Sequence, residues 1–151
     1  MFAVVRIRGA AGTSKKILDT LRMLRLDAVN NCVLLSETPD YKGMLDVVKD
    51  AVTWGEIEKE TLVELLKKRL RLKGSKRLDE NMFKQTTNSS YEELAEALLS
   101  GKAKLKDFKL LEPTFKLTPP SKGFKSVKEH YPKGDLGYRG KEINDLLRRM
   151  I

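Results

Sequence analysis

Apolar and polar positions along the first 57 residues fall into five successive patterns. Residues 2–8 (FAVVRIR) are short and rich in β-branched side chains, which predicts a strand. A Gly9-Ala10-Ala11-Gly12 turn follows, and Thr13 or Ser14 is placed to cap a helix through a side-chain oxygen. Ile17, Leu18, Leu21 and Leu24 then recur at helical spacing to about Leu26. The Asn30-Asn31 pair breaks that period, and residues 32–35 with their flanks read as a second strand. A Thr38-Pro39-Asp40 turn leads to a helix over about 41–50, and residues 52–57 form a third strand. The order is β-α-β-α-β.

Beyond this unit the pattern becomes mostly helical. A helix is predicted over about 60–72, with acids early and bases late, as the helix dipole favours. Residues 73–76 end it, and 79–87 form a short helical turn. Ser90-Tyr91-Glu92-Glu93 has capping-box form and opens a helix that Gly101 closes. Residues 115–140 (FKLTPPSKGFKSVKEHYPKGDLGYRG) follow neither helical nor strand spacing. After them Ile143, Leu146, Leu147 and Met150 define one more amphipathic helix. The chain divides into a 1–57 core, a 58–114 helical extension, and a 115–151 basic segment with its terminal helix. A stretch without periodicity cannot offset its ordering entropy by its own burial. Residues 115–140 are therefore expected to be held by an outside partner, which their bases and aromatics identify below as RNA, with the terminal helix docked on the globular part.

Charge turns this architecture toward a partner. The 151 residues hold 30 Lys and Arg against 21 Asp and Glu, a net charge of +9 with a pI near 9.6. Such an excess suits a polyanion. It is not uniform: residues 1–57 carry 8 bases and 7 acids, 58–90 carry 9 and 5, and 91–151 carry 13 and 9. The single cysteine, Cys32, rules out an intramolecular disulfide and fits a reducing cytoplasm. No signal-peptide core and no apolar run of about 20 residues is present, so a soluble cytosolic protein is expected.

Little in the chain supports chemistry. One His and one Cys cannot supply a zinc site of nitrogen and sulfur ligands, which needs about four. A Cys32–His130 catalytic pair is disfavoured because Cys32 lies in an apolar strand, where free Cys acts as a small hydrophobe. Residues 9–16 (GAAGTSKK) follow a strand and open a helix, but Ser14 and Lys16 break the phosphate-loop pattern. Asp46 and Asp50, four apart on one helix, read as a solvated face. No cofactor, metal or small-molecule substrate is expected.

Phosphate binding is a different matter. A helix start with free N–H groups suits an anion of any kind. Arg6, Arg8, Gly12, Thr13, Ser14, Lys15 and Lys16 therefore form a first expected RNA contact, with Lys42 added from the second helix. Residues 67–77 hold seven bases and no acid. Glu60 and Glu64 lie on the helix face of Lys67, Lys68 and Arg71 and can pair there, but Lys73, Lys76 and Arg77 lie beyond their reach; Lys68, Arg71, Lys73, Lys76 and Arg77 are expected as a second contact. In the 115–140 stretch Lys116, Lys122, Lys125, Lys128 and Arg139 are interleaved with His130, Tyr131 and Tyr138. That mixture suits phosphates and unpaired bases together.

The motifs combine into a resemblance. Val5-Arg6-Ile7-Arg8 with Gly12, residues 20–26 (TLRMLRL), Asn30-Asn31-Cys32-Val33, residues 38–44 (TPDYKGM) and the strand from Val52 resemble the protein-thirty family of the large ribosomal subunit. Residues 117–123 (LTPPSKG), 136–140 (LGYRG) and 143–150 (INDLLRRM) are similar to the tail of its longer archaeal members. The eukaryotic counterpart is numbered seven. Arg25 stands where bacterial members often have Gly. The resemblance implies an α+β fold: a ferredoxin-like-related β-α-β-α-β core with a three-stranded antiparallel sheet, plus a helical and extended basic C-terminal extension. It implies a non-catalytic monomer that contacts large-subunit ribosomal RNA, near the 5S RNA in long forms, among other large-subunit proteins. Two other classes stay open: a non-ribosomal RNA-binding module, and a small ferredoxin-like enzyme such as an acylphosphatase using Arg8 with Asn30 or Asn31.

Overall fold

A computed structural model describes residues 1–74 and 76–151. The first unit forms as its periodicity predicts: β1 (Phe2–Arg6), α1 (Lys15–Met23), β2 (Asn31–Leu35), α2 (Pro39–Val48) and β3 (Val52–Glu56). β1 lies between β2 and β3 and is antiparallel to both, with Val4 opposite Val33 on one side and Trp54 on the other. The sheet does not stop at three strands. β6 (Thr114–Lys116) pairs antiparallel with β2, and β7 (Gly137–Tyr138) pairs parallel with β3, giving the order β6-β2-β1-β3-β7. The expected three-stranded antiparallel sheet is thus the centre of a five-stranded mixed one.

Alternation along β1 feeds two cores. Phe2 and Val4 pack with Leu21, Leu45, Val48 and Trp54 beneath α1 and α2. Ala3 and Val5 face the other way, against Leu62, Leu65 and Leu66 of α3 (Lys59–Arg69), Leu94 and Leu98 of α5 (Tyr91–Leu99), and α6 (Ile143–Met150). Both faces are covered, so β1 is buried along its whole length. Ile143, Leu146, Leu147 and Met150 are all fully buried, as the terminal pattern predicts. Each contributes about 1.5–3 kcal/mol by leaving water. The helix can sit so close because Gly55 has no side chain: a Cβ there would lie 1.9 Å from the Gly140 carbonyl oxygen.

Three local expectations change. α3 ends at Arg69 rather than near 72, because Arg71–Leu72 (β4) turns into a hairpin with Lys76–Arg77 (β5). Ser14 does occupy the N-cap of α1, but neither its hydroxyl nor that of Thr13 caps the helix; Thr13 Oγ1 donates to the Gly9 carbonyl instead. The Ser90 capping box on α5 forms in both directions. α4 (Glu80–Thr87) fills the predicted helical turn. Arg25 takes the left-handed conformation (φ 61°), its N–H reaching the Arg22 carbonyl while the Leu26 N–H reaches that of Leu21. These two bonds form the helix end that Gly usually makes.

The largest correction concerns residues 115–140. Protein contacts anchor this stretch near both ends, while residues 121–123 and 127–133 are exposed. Phe115, Leu117 and Leu136 are buried, and Asp135 and Arg139 form a buried ion pair at 2.8 Å. Arg139 also donates from Nε to Thr53 Oγ1 at 2.8 Å and from Nη2 to the Asp135 carbonyl at 2.7 Å. The second Asp135 oxygen accepts the backbone N–H groups of Lys125 and Ser126. One carboxylate therefore organises a loop that has no hydrophobic period of its own.

Candidate nucleic-acid interface

The topology gathers basic groups at one end of the sheet. β1 ends there, β2 and β3 begin there, and α3 and α6 run down to it. Arg8 is exposed at the end of β1, its Nη1 donating to the Asp50 carbonyl at 3.3 Å. The backbone N–H groups of Ile7 and Arg8 both bond the Ala51 carbonyl, fixing the end of β1 to the turn before β3. His130 reaches the same turn, with Nε2 2.8 Å from Asp50 Oδ1.

The α1 start lies next to Arg8 in the chain. Gly12 takes φ +71°, a conformation L side chains rarely adopt, and Thr13 N–H closes a turn to the Ala10 carbonyl. Because no side chain caps the helix, its first N–H groups remain open to a ligand. Lys15 and Lys16 are exposed beside them, and the first turn holds no acid.

A run of hydrogen bonds carries the surface onward. Leu117 N–H donates to the Asn30 carbonyl, Thr118 N–H to that of Met150, and Ser121 N–H to that of Arg149. Arg69 Nη2 clasps the chain end through the Ile151 carbonyl at 2.8 Å and Thr118 Oγ1 at 3.1 Å. Arg149 Nη1 donates to the carbonyls of Ser121 and Gly123. Lys122, Lys125 and Lys128 project from the loop so held and are exposed, Lys125 with its Nζ on the Pro132 carbonyl at 3.1 Å. Asp27, Asp50 and Glu129 are the acids in these segments, and Asp50 is engaged by His130.

Several expected contacts lie elsewhere. Arg6 is 4% exposed, and its guanidinium is spent on the carbonyls of Arg8, Leu26 and Asp27. Burial lowers its pKa, partly countered by the Asp27 charge. Arg139 is 7% exposed and held through Nε and Nη2 by Thr53 and Asp135. Neither side chain has a face for RNA; both brace the loops that carry other bases. Lys68 pairs with Glu64 at 2.6 Å. Lys73, Lys76 and Arg77 sit on the β4–β5 hairpin, tied to residues 110–112 through the Leu72–Leu111 bridge and the Lys73 N–H to Leu110 carbonyl bond. They and the half-buried Arg71 form a second basic surface. Lys116 is exposed on β6 opposite Asn31. Tyr131 is exposed, with the Arg139 guanidinium 5.5 Å from its ring centre. Lys42 and Tyr138 lie at the other end of β1 and β3, among carboxylates, where a phosphate is repelled.

Sequence reading missed Arg69, Arg149 and Asp135, which shape the surface through carbonyls and amides. Their roles depend on where α3 and α6 end in space, and no local pattern announces that. The Arg8–Asp50–His130 cluster likewise joins three distant segments. Among the described residues no group of three or more His, Cys, Asp and Glu side chains is placed to hold a metal, and no helix is long and apolar enough to cross a membrane. Cys32 is fully buried, and burial pushes its thiol up to about 12, so it is no nucleophile.

Residues 2–52 match the family described as ribosomal protein L30p/L7e. The chain is 52% identical over 151 residues to the large ribosomal subunit protein uL30 of Archaeoglobus fulgidus, covering 99% of each chain. It is 49% identical over 153 residues to uL30 of Methanococcus maripaludis, again covering 99% of each. It is 47% identical over 154 residues to uL30 of Thermofilum pendens, covering 100% of this chain and 99% of that one. With half its residues identical over nearly full length, the chain belongs to the uL30 family of large ribosomal subunit proteins.

Proposed function

We propose that the protein is a non-catalytic structural constituent of the large ribosomal subunit in the cytoplasm and that its basic sheet end binds ribosomal RNA. The observation that carries the reading is the uncapped start of α1, with Gly12, Thr13, Ser14, Lys15 and Lys16 beside the exposed Arg8. Open amides and unpaired cations there suit a phosphate of any sequence. Lys122, Lys125, Lys128, His130 and Tyr131 extend the surface, with Lys116 on its flank and Arg71, Lys73, Lys76 and Arg77 as a second patch. Such a protein works by position: it neutralises phosphates that would otherwise repel one another and fixes the RNA in one folded form. Within the subunit it acts as a monomer beside other proteins, with no small-molecule substrate.

The test is binding to a fragment of large-subunit ribosomal RNA across a salt series. About five phosphate contacts give a slope of log K against log salt of roughly −3.5 to −4.5. A flat response would remove the basic end as the contact surface. Sedimentation separates a subunit constituent from a free RNA-binding module: the former travels with the large subunit and leaves only at high salt.

A further inference from the structure

The end of the sheet opposite the basic surface has different chemistry. Phe2, Trp54 and Tyr138 stand on neighbouring strands β1, β3 and β7; Phe2 pairs with Glu56, and Trp54 with Tyr138. The two rings of Trp54 and Tyr138 lie 6.4 Å apart and tilted by 50°. α2 covers part of this face and leaves a groove of about 370 Å³ between itself and β7. Its floor is aromatic, and its rim carries Glu37, Asp46 and Glu56 against Lys42. Tyr138 is 53% exposed, far more than an aromatic ring needs for packing alone.

Two observations say what such a groove accepts. First, Lys42 Nζ already lies 5.9 Å from the Phe2 ring centre, a cation against an aromatic floor. Second, the Tyr138 hydroxyl donates to Glu56 Oε1 at 2.6 Å, and its proton is held more tightly by that bond and by the charges of Glu56 and Glu37. The local field is negative although the whole chain carries +9. The Met1 ammonium binds Glu37, which leaves Asp46 and Glu56 as the carboxylates facing outward. A phosphate is repelled here. A guanidinium is complementary twice over: its flat face can stack on the exposed Tyr138 ring beside the edge of the largely buried Trp54, and its N–H fork meets the carboxylates.

We propose that this groove binds an arginine side chain on a basic segment of a neighbouring protein in the same subunit, so that RNA and protein partners meet opposite ends of one sheet. The neighbour's identity as a subunit protein rests on the ribosomal reading above; the arginine chemistry rests on the groove alone. Trp54 is the only tryptophan in the chain, so its emission reports on the site.

The test titrates the free full-length protein with a synthetic Gly-Arg-Gly-Arg-Gly peptide and its lysine counterpart. Expected are a saturable change in Trp54 emission, weaker binding of the lysine peptide, and about tenfold weaker arginine-peptide binding in Asp46→Asn and in Glu56→Gln. RNA binding should be unchanged in both variants. Asp46 is exposed on α2, so its variant keeps the fold even if Glu56→Gln does not. Absence of a saturable signal, or equal binding by the Asp46→Asn variant, overturns the proposal while leaving the RNA reading intact. Quenching of Trp54 by a large-subunit RNA fragment that the peptide cannot displace also overturns it.

Discussion

Asp135→Ala should be among the most damaging substitutions in the chain, although the residue lies in a stretch without hydrophobic period. Asp135 is 5% exposed, and its carboxylate accepts from Arg139 at 2.8 Å and from the N–H groups of Lys125 and Ser126. Removing it strands a buried guanidinium and two amides. Breaking a buried pair from one side costs about 3–5 kcal/mol. That is a large part of the roughly 5–15 kcal/mol by which a domain is stable. At about 2–4 °C per kcal/mol for a chain of this size, the melting temperature should fall by roughly 6–20 °C. Arg139→Met should cost less, because the carboxylate keeps its two amides. The double variant should fall short of the sum by about 2 kcal/mol or more, measured by urea denaturation as a double-mutant cycle. Amide exchange supplies the spatial test. In the free wild-type protein, Lys125 and Ser126 should exchange slowly; in Asp135→Ala they should exchange fast while β1 and β3 stay protected. A cost below about 1 kcal/mol, or fast exchange across 125–136 in the wild type, would refute the claim that protein contacts order this loop.

Other predictions test single features. Lys15→Ala with Lys16→Ala should weaken RNA binding about tenfold and lower the salt slope by about two, while stability in thermal melts changes by less than about 0.5 kcal/mol. Burial raises the Cys32 thiol from 9.0 to about 12. Above pH 9 the unfolded chain loses this proton and the folded chain keeps it, so this contribution is intact below pH 9 and lost as pH rises toward 12. Denaturation curves of Cys32→Ala across that window should lack the component. Arg25→Gly should stabilise by up to about 1 kcal/mol, since it removes left-handed strain at φ 61° and returns part of the gain as unfolded-state entropy. Leu147→Ala should cost about 2–5 kcal/mol in the same denaturation assay by opening a cavity under α6.

The first 57 residues were legible because each element there repeats its pattern long enough to be read. The Ser90 capping box and the α6 apolar stripe were legible for the same reason: both are local signals. What escaped was structure made between distant segments. β6 and β7 have three and two residues, too few for any period, and exist only because β2 and β3 offer them edges. Arg139 looked like an RNA contact because sequence carries no record of burial, and Asp135 carries no local signal at all. Arg6 looked like an RNA contact because it stands beside Arg8 in a basic strand. Alternation alone would put both on one face; position separates them, since Arg6 ends the strand and turns onto the Leu26 and Asp27 carbonyls, while Arg8, past the strand's end, faces solvent. The α1 start was the part of the interface that sequence placed well, since a turn, a helix start and two lysines are adjacent in the chain.

The two short outer strands also set a timetable for synthesis. β1, β2 and β3 are complete once Glu56 has been made, but the outer edges of β2 and β3 close only with Thr114–Lys116 and Gly137–Tyr138. Those edges present unpaired N–H and C=O groups, ready to recruit a strand from another chain. At about 5–20 residues per second, the nascent protein spends roughly 4–16 s between finishing its central strands and sealing both sides. Over the same interval the face carrying Ala3, Val5 and Cys32 waits for α6, the last helix to emerge. A ribosome that stalls inside residues 57–137 therefore displays a sticky half-domain, and truncation anywhere in that range should yield insoluble chains rather than a smaller folded protein.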